Sequence, residues 1–179
     1  MLSLCRKLVL LLACVAVTGC GFAFRGEIDL PPDVETVYIR TNDRFSPFYR
    51  ELVAAIKTNG LALVDNSIDA DAIIDVLEDI TDRRTLSVSA RNIPVEFEIY
   101  YIVTCSVFIG EQQIVDRQRF VLTRDYTYDE TEVLGKANEE EVLRDALASN
   151  LVGLLTQTIS ASWQQPVIDM SGDMVVPES

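Results

Sequence analysis

A long alternation of apolar and polar residues in the middle of the chain limits its fold more than any other feature. Every second residue from Val95 to Ile109 is apolar, and the series is Val95, Phe97, Ile99, Tyr101, Val103, Cys105, Val107 and Ile109. A repeat of two places all of these side chains on one face of a β-strand. The pattern therefore predicts one long strand that packs one face against a hydrophobic core.

The segments on either side of this strand predict two more. Residues 72–88 start with a similar alternation, and residues 114–126 return after Gly110 as a more polar strand. Arg91-Asn92-Ile93-Pro94 is typical of a turn. Three consecutive antiparallel strands are the simplest arrangement of these segments.

A β-α-β unit is predicted over residues 34–64. A short apolar strand over 34–39 is followed by Ser46-Pro47, which favours a helix start, with Ser at the N-cap and Pro at the first helical position. Asn59-Gly60 favours the helix end, and residues 61–64 predict a second short strand. We expect the two strands of this unit to be parallel.

A second helix is predicted from Asn138 to about Trp163, because Asn138 and Glu141 match a capping box. Residues 127–137 are interpreted as a polar loop before it. The predicted fold class is therefore α/β (α+β), with two helices packed on one face of a mixed, mainly antiparallel sheet of four to five strands. Residues 20–163 form one globular domain in this interpretation, and residues 164–179 a loose C-terminal tail.

The first twenty residues predict export and lipidation. Arg6 and Lys7 precede an apolar run that is too short to span a bilayer, and the run ends in Val17-Thr18-Gly19-Cys20, which resembles the lipobox of bacterial lipoproteins. Residues 1–19 are therefore expected to be a lipoprotein signal peptide and Cys20 the acylated residue. Gly21 favours the outer membrane, because an aspartate at that position often signals inner-membrane retention. Cys105 is expected to be a buried core residue.

Composition argues against several classes of function. The chain has no histidine, which removes histidine-based catalysis and histidine metal ligands. Its net charge of −13 argues against broad nucleic-acid binding. Acidic residues crowd 69–82 and 125–132, but without EF-hand spacing, and solvated strand faces and turns are the preferred interpretation. We expect no catalytic residues, no metal and no cofactor beyond a covalent lipid on Cys20.

The scarce basic residues are more informative. Arg83 and Arg84 precede Thr85, Arg91 lies at the predicted turn, and Lys136 lies in the predicted loop before the second helix. Such cations either balance nearby carboxylates or bind an anionic ligand such as a phosphate. Charge patterning alone leaves both interpretations open.

Several segments resemble the family of LPS-assembly lipoproteins called LptE. They are Cys20 to Gly26, Leu30-Pro31, Val37-Tyr38-Ile39, Thr85 to Asn92, Glu96-Phe97-Glu98, Arg124 to Tyr128, and Leu134 to Glu140. Their order and spacing carry the resemblance, which runs from the lipobox to about residue 160. The chain departs from the family at Ala23, where members often carry His.

The resemblance implies a function beyond what spacing indicates. Members of the family act without catalysis inside an outer-membrane β-barrel, LptD, whose assembly they assist, and they help deliver lipopolysaccharide to the outer leaflet. It also implies that Arg91 and Lys136 bind lipopolysaccharide, and that the protein is lipid-anchored on the periplasmic side of the outer membrane. Two alternatives remain open: an envelope lipoprotein that binds a different small ligand or protein, and a metal-dependent hydrolase using only carboxylates.

Overall fold

The computed structural model describes residues 30–128 and 133–163, and the side chains of the second range from residue 138 onward. The expected signal peptide, Cys20 and the 164–179 tail lie outside these residues. Five strands and two helices are present in the described part: β1 Thr36–Arg40, α1 Pro47–Thr58, β2 Ala62–Leu63, β3 Ala72–Val88, β4 Pro94–Ile109, β5 Gln112–Thr127 and α2 Val133–Trp163. The predicted fold class is confirmed.

The five strands form one mixed sheet in the order β2-β1-β3-β4-β5. β1 pairs in parallel with β2 and β3, as expected for a β-α-β unit, and β3, β4 and β5 are antiparallel. The β3–β4 ladder shifts register between Val76 and Glu78, which indicates a β-bulge at Leu77. Beyond this bulge the three long strands extend well past the short β1 and β2.

Helix α1 begins and ends where the sequence predicts. The Ser46 side chain accepts a hydrogen bond from the Tyr49 backbone N–H at 3.0 Å, and Pro47 occupies the first turn. Gly60 adopts a φ of 77°, a left-handed conformation that glycine tolerates and that ends the helix.

Both helices pack on the face of the sheet that carries the β4 alternation. Ile99, Tyr101, Val103 and Cys105 have no exposed surface, and they share one core with α1 and α2. The helix residues of this core are Phe48, Leu52, Ile56, Leu147, Ala148, Leu151, Val152, Leu155 and Ile159. The predicted burial of Cys105 is confirmed, and burial raises the pKa of its thiol to about 12.

The predicted start of the second helix was wrong. Helix α2 begins at Val133, so Asn138 lies inside the helix and Lys136 lies in its first turns and not in a loop. Asn138 and Glu141 therefore lie within a continuous helix and do not form the predicted capping box at its start. Neither described helix combines the length and apolar character that crossing a membrane requires.

A partly buried carboxylate, Asp79, joins α1 to the sheet. The Ser46 hydroxyl donates a hydrogen bond to the Asp79 carboxylate at 2.5 Å. The Tyr101 hydroxyl also donates to Asp79 and accepts a bond from the Phe48 backbone N–H at 3.0 Å. Burial raises the pKa of Asp79, although the bonds from Ser46 and Tyr101 oppose the shift.

Asp79→Asn should stabilise the fold at neutral pH. Because the pKa of Asp79 is higher in the folded state, its contribution to stability is full below the ordinary value of 3.8 and is lost as the pH rises through the folded pKa. The neutral amide still offers an oxygen to Ser46 and avoids the cost of a buried charge. We expect a higher free energy of unfolding at pH 7, with the difference shrinking toward pH 3, in urea titrations.

The matched control is Asp65→Asn, which removes an exposed carboxylate and should change neither stability nor its pH dependence. A clear loss of stability for Asp79→Asn at pH 7 would show that Ser46 and Tyr101 require the ionised form.

Candidate functional site

The turn between β3 and β4, residues 89–93, presents Arg91 at one end of the molecule; we call it the hairpin tip. The turn is closed by backbone bonds from Ser89 to Ile93 at 2.7 Å and from Asn92 to Ser89 at 2.9 Å. Asn92 has a φ of 62°, a conformation that asparagine tolerates better than most residues. Arg91 is exposed between these bonded residues, and it forms no ion pair with any residue that the structure describes. It is therefore a cation on an ordered support.

The start of α2 lies at the same end as the hairpin tip. β5 ends where Thr127 pairs with Glu96, just after β4 begins, and the Tyr128 backbone N–H bonds the Val95 carbonyl at 2.8 Å. Helix α2 begins five residues later, which brings Lys136 to this end of the fold. The structure does not describe the Lys136 side chain, so its predicted role in binding stays a prediction.

A polar cluster holds the first part of α2 against β3 and β5; we call Arg83, Phe97, Tyr126, Glu140 and Arg144 the distal cluster. One oxygen of the Glu140 carboxylate accepts bonds from the Arg83 guanidinium at 2.8 Å and the Tyr126 hydroxyl at 2.9 Å. The other oxygen accepts from Arg144 at 2.6 Å. Arg144 also donates to the Thr81 hydroxyl at 2.8 Å. Glu140 thus links one helix to two strands.

Aromatic rings fix the strand side of the distal cluster. The Phe97 ring stacks on the Tyr126 ring with centroids 5.7 Å apart, and the Arg83 guanidinium lies 4.9 Å above the Phe97 ring. Such a cation–π contact adds to the ion pair. Tyr126 is buried, which limits the positions its hydroxyl can take.

The balance of effects on Glu140 favours its charged form. Burial alone would raise the pKa of this carboxyl, but hydrogen bonds from Arg144 and Tyr126 and the charges of Arg83 and Arg144 together lower it. The hydrogen bond to Tyr126 raises the pKa of Arg83 against the opposing effect of burial, and the charge of Glu140 adds to the increase. The Glu140 carboxylate and the Arg83 guanidinium are therefore both charged at neutral pH.

The two interpretations of the basic residues apply to different members. Arg83 pairs with Glu140, and Arg84 pairs with Glu98 at 2.6 Å, so these two cations balance carboxylates. Arg91 has no such partner among the described residues. An anionic ligand that binds Arg83 or Arg84 would have to displace the carboxylate already paired with it. Binding at Arg91 would displace neither of these carboxylates.

The face of the sheet opposite the helices is open and carries an apolar row. Ile80, Ile102 and Val121 are aligned across β3, β4 and β5, and Ile80 and Val121 are 46% and 45% exposed. Ion pairs lie on both sides of this row, Arg84 with Glu98 and Arg119 with Glu78 at 3.6 Å. An apolar centre bordered by charged groups is typical of protein interfaces.

The acidic residues of 69–82 are dispersed among separate partners. Asp71 accepts bonds from the Glu35 and Thr36 backbone N–H groups, and Asp75 pairs with Arg40 at 3.0 Å. Glu78 accepts from the Thr104 hydroxyl at 2.7 Å. Within the described ranges, no three carboxylate or thiol residues are grouped to hold a metal ion.

A groove of about 930 Å³ runs beside α2 and is bordered by α1 and β5. Its lining mixes polar side chains with apolar ones such as Leu122 and Leu154, and Glu51 and Arg124 are its two charged residues. Neither Arg91 nor any member of the distal cluster lines it, so the groove is separate from the hairpin tip.

The family model described as LptE, Lipopolysaccharide-assembly, matches residues 34–159. The chain belongs to the LptE family. The matched region begins before β1 and ends near the last buried residue of α2, so it contains the whole sheet, the hairpin tip and the distal cluster. The chain is accordingly a lipopolysaccharide-assembly protein, and the resemblance found in the sequence is confirmed.

Individual relatives agree with this assignment. The LPS-assembly lipoprotein LptE of Yersinia enterocolitica is 24% identical over 141 residues, which cover 78% of this chain and 68% of the relative. A lipoprotein B from Nitrosomonas europaea, solved by NMR, has a TM-score of 0.62 at 29% identity over 79% of this chain and 91% of its own. The rare lipoprotein B of Shewanella oneidensis has a TM-score of 0.61 at 20% identity, over 72% and 96%. These neighbours share the LptE-family fold.

The sequence pattern indicates Arg91 but not the distal cluster. Arg83 and Glu140 are 57 residues apart, and no local pattern relates them. The alternation of Ala72, Ile74 and Val76 would place Arg83 on the face away from the helices, but the bulge at Leu77 reverses the alternation and puts Arg83 opposite Ile99, on the helix-facing side. A cation on that face requires a carboxylate from the helix above it.

Glu140→Gln should lower stability at neutral pH by about 1–3 kcal/mol, because it removes charge-assisted bonds to Arg83 and Arg144. The pKa of Glu140 is lowered in the fold, so its contribution is present above the ordinary value of 4.5 and is lost as the pH falls through the folded pKa. The wild type should lose stability on acidification, and the variant should lose less. Urea unfolding between pH 3 and pH 7 measures both.

Glu141→Gln is the control, since it makes the same change at the next, exposed position of the helix. Equal stability of Glu140→Gln and Glu141→Gln at pH 7 would contradict a stabilising role for the distal cluster.

Proposed function

We propose that this chain is the outer-membrane lipoprotein subunit of the lipopolysaccharide translocon. In this role it is held on the periplasmic side by acylated Cys20, plugs the lumen of an LptD-like β-barrel, assists the assembly of that barrel, and binds lipopolysaccharide during delivery to the outer leaflet. Membership of the LptE family supports the role in lipopolysaccharide assembly. No bond is made or broken by the chain in this role.

The observation that carries the ligand part of this proposal is the state of Arg91. It is exposed on a hydrogen-bonded turn and has no ion-pair partner among the described residues of a chain with net charge −13. Lipid A carries phosphates, which form charge-assisted hydrogen bonds with guanidinium and ammonium groups. Lys136, at the same end of the fold, supplies a second cation in this proposal.

The acidic remainder of the chain restricts where the ligand binds. Like charges repel the phosphates over most of the surface, while screening limits each interaction to about 10 Å at ordinary ionic strength. Exposed ion pairs contribute about 0.2–1 kcal/mol each, so two cations give a modest grip. A modest affinity suits a protein that must release its ligand after delivery.

Reversing both charges tests ligand binding. The double variant Arg91→Glu, Lys136→Glu should bind lipopolysaccharide about tenfold more weakly, because two favourable contacts become repulsive. Titration of fluorescently labelled lipopolysaccharide measures the affinity, and thermal denaturation verifies that the fold is intact.

The control is Lys57→Glu, Arg117→Glu, which makes the same change in net charge. Both residues are exposed, lie toward the opposite end of the sheet from the hairpin tip, and have no ion pair with a described residue. Equal affinities of the two double variants would contradict a localised binding site.

The barrel part of the proposal is supported by the open face of the sheet. A plug needs a large and mostly polar contact surface, and this face combines the Ile80, Ile102 and Val121 row with bordering ion pairs. The long β5 strand belongs to this surface and lies at the edge of the sheet.

Val121→Glu should reduce recovery of the β-barrel partner, since it places a charge in the apolar row. The measurement is co-purification of the acylated protein from detergent-solubilised outer membranes, followed by mass identification of the bound protein. Val142→Glu makes the same substitution at a 66% exposed position of α2 and should leave recovery unchanged. Full recovery with Val121→Glu would exclude the open face as the contact surface.

A further inference from the structure

Between residues 138 and 144, α2 is bonded to the sheet through the polar side chains of Glu140 and Arg144, while Leu143 packs partly buried against the core. Among the described side chains of this helix, burial in the core begins at Leu147. The helix-facing positions of β3 change in the same way: Ala72, Ile74 and Val76 are buried, but the positions after the bulge include Thr81 and Arg83. The orientation of the helix start therefore depends on a few directional bonds.

We propose that Glu140 is a positioning residue that sets where α2 begins relative to the hairpin tip, so that Lys136 and Arg91 can bind the same anionic ligand. This inference rests on the proposed function, because it takes Lys136 and Arg91 as ligand contacts. Glu140 itself does not touch the ligand; its carboxylate acts through the helix.

Glu140 is suited to this role because its two carboxylate oxygens bond to different partners. One oxygen receives Arg83 from β3 and Tyr126 from β5. The other receives Arg144, one turn later in the same helix, and Arg144 reaches Thr81 of β3. The helix is thus tied to the sheet at two successive turns, and rotation about its axis would break these bonds.

Lys136 precedes Glu140 by four residues within the helix, so the two positions share one helix face. Four residues correspond to about 6 Å along the axis. Glu140 therefore ties the helix to the sheet one turn after the Lys136 position. β3 continues from Arg83 to the hairpin tip. The Arg83–Glu140 ion pair therefore connects the helix that carries Lys136 to the strand that leads to Arg91.

The ligand that this arrangement fits carries two separated anionic groups such as phosphates. Fixed backbone positions for two cations favour a ligand whose charges match them, since less entropy is lost on binding. Loss of the Glu140 ties would leave both cations present but no longer held at one spacing.

The experiment measures lipopolysaccharide affinity in a double-mutant cycle of Glu140→Gln with Lys136→Ala. Each single variant should weaken binding about threefold, and the double variant should be little weaker than either one. Tyr126→Phe keeps the net charge and the ring but removes one tie to β5, and it should weaken binding about twofold. This second variant separates positioning from a direct charge effect of Glu140 on Lys136.

Two controls complete the test. Glu141→Gln should leave affinity unchanged, and Val37→Ala, a core change in β1, should lower stability without lowering affinity. Additive effects in the cycle, or full affinity of Tyr126→Phe, would overturn the positioning role. The double variant Arg91→Glu, Lys136→Glu distinguishes the two kinds of failure. If its affinity for lipopolysaccharide is undiminished, the proposed function fails; if its affinity falls, only the positioning role of Glu140 is in question.

Discussion

The burial of one face of β4 constrains everything else in this fold. Ile99, Tyr101, Val103 and Cys105 have no exposed surface, and each fully buried side chain of this size contributes about 1.5–3 kcal/mol. Their alternation allows only one face to be covered, so both helices must lie on the same side. The opposite face is left uncovered by the described residues, and it carries paired charges around the apolar row of Ile80, Ile102 and Val121.

The length of the strands creates a second constraint. β3, β4 and β5 extend past the short β1 and β2, so α1 covers only part of the sheet, while α2 continues toward the hairpin tip. Apolar side chains on this extension would be poorly covered, and the chain uses Thr81, Arg83 and the Glu140 carboxylate there. Asp79 lies at the boundary, where a partly buried carboxylate meets the N-terminus of α1. Polar contacts take over where the core ends.

Local patterns predicted the strands and α1 well, because each has a signal within a few residues. The β4 alternation and the Ser46-Pro47 start are examples, and both were confirmed. The start of α2 was predicted wrongly, because Asn138 and Glu141 imitate a capping box in the middle of a helix. The contacts of Glu140 with Arg83 and Tyr126 join distant residues that a window of sequence does not include. For the candidate site, the sequence indicated Arg91 but not the distal cluster.

Pairing, more than the number of cations, determines where an acidic protein can bind an anion. Arg40, Arg50, Arg83, Arg84, Arg119 and Arg144 all form ion pairs within the described residues. A ligand phosphate could reach these groups only by displacing a carboxylate at close range, which costs about as much as the new contact contributes. Arg91 requires no displacement of such a pair, and its position on an ordered turn limits the entropy lost on binding. The distal cluster therefore acts twice: it pairs Arg83 and Arg144 with a carboxylate, and it holds the first part of α2 at the end of the fold where Arg91 lies.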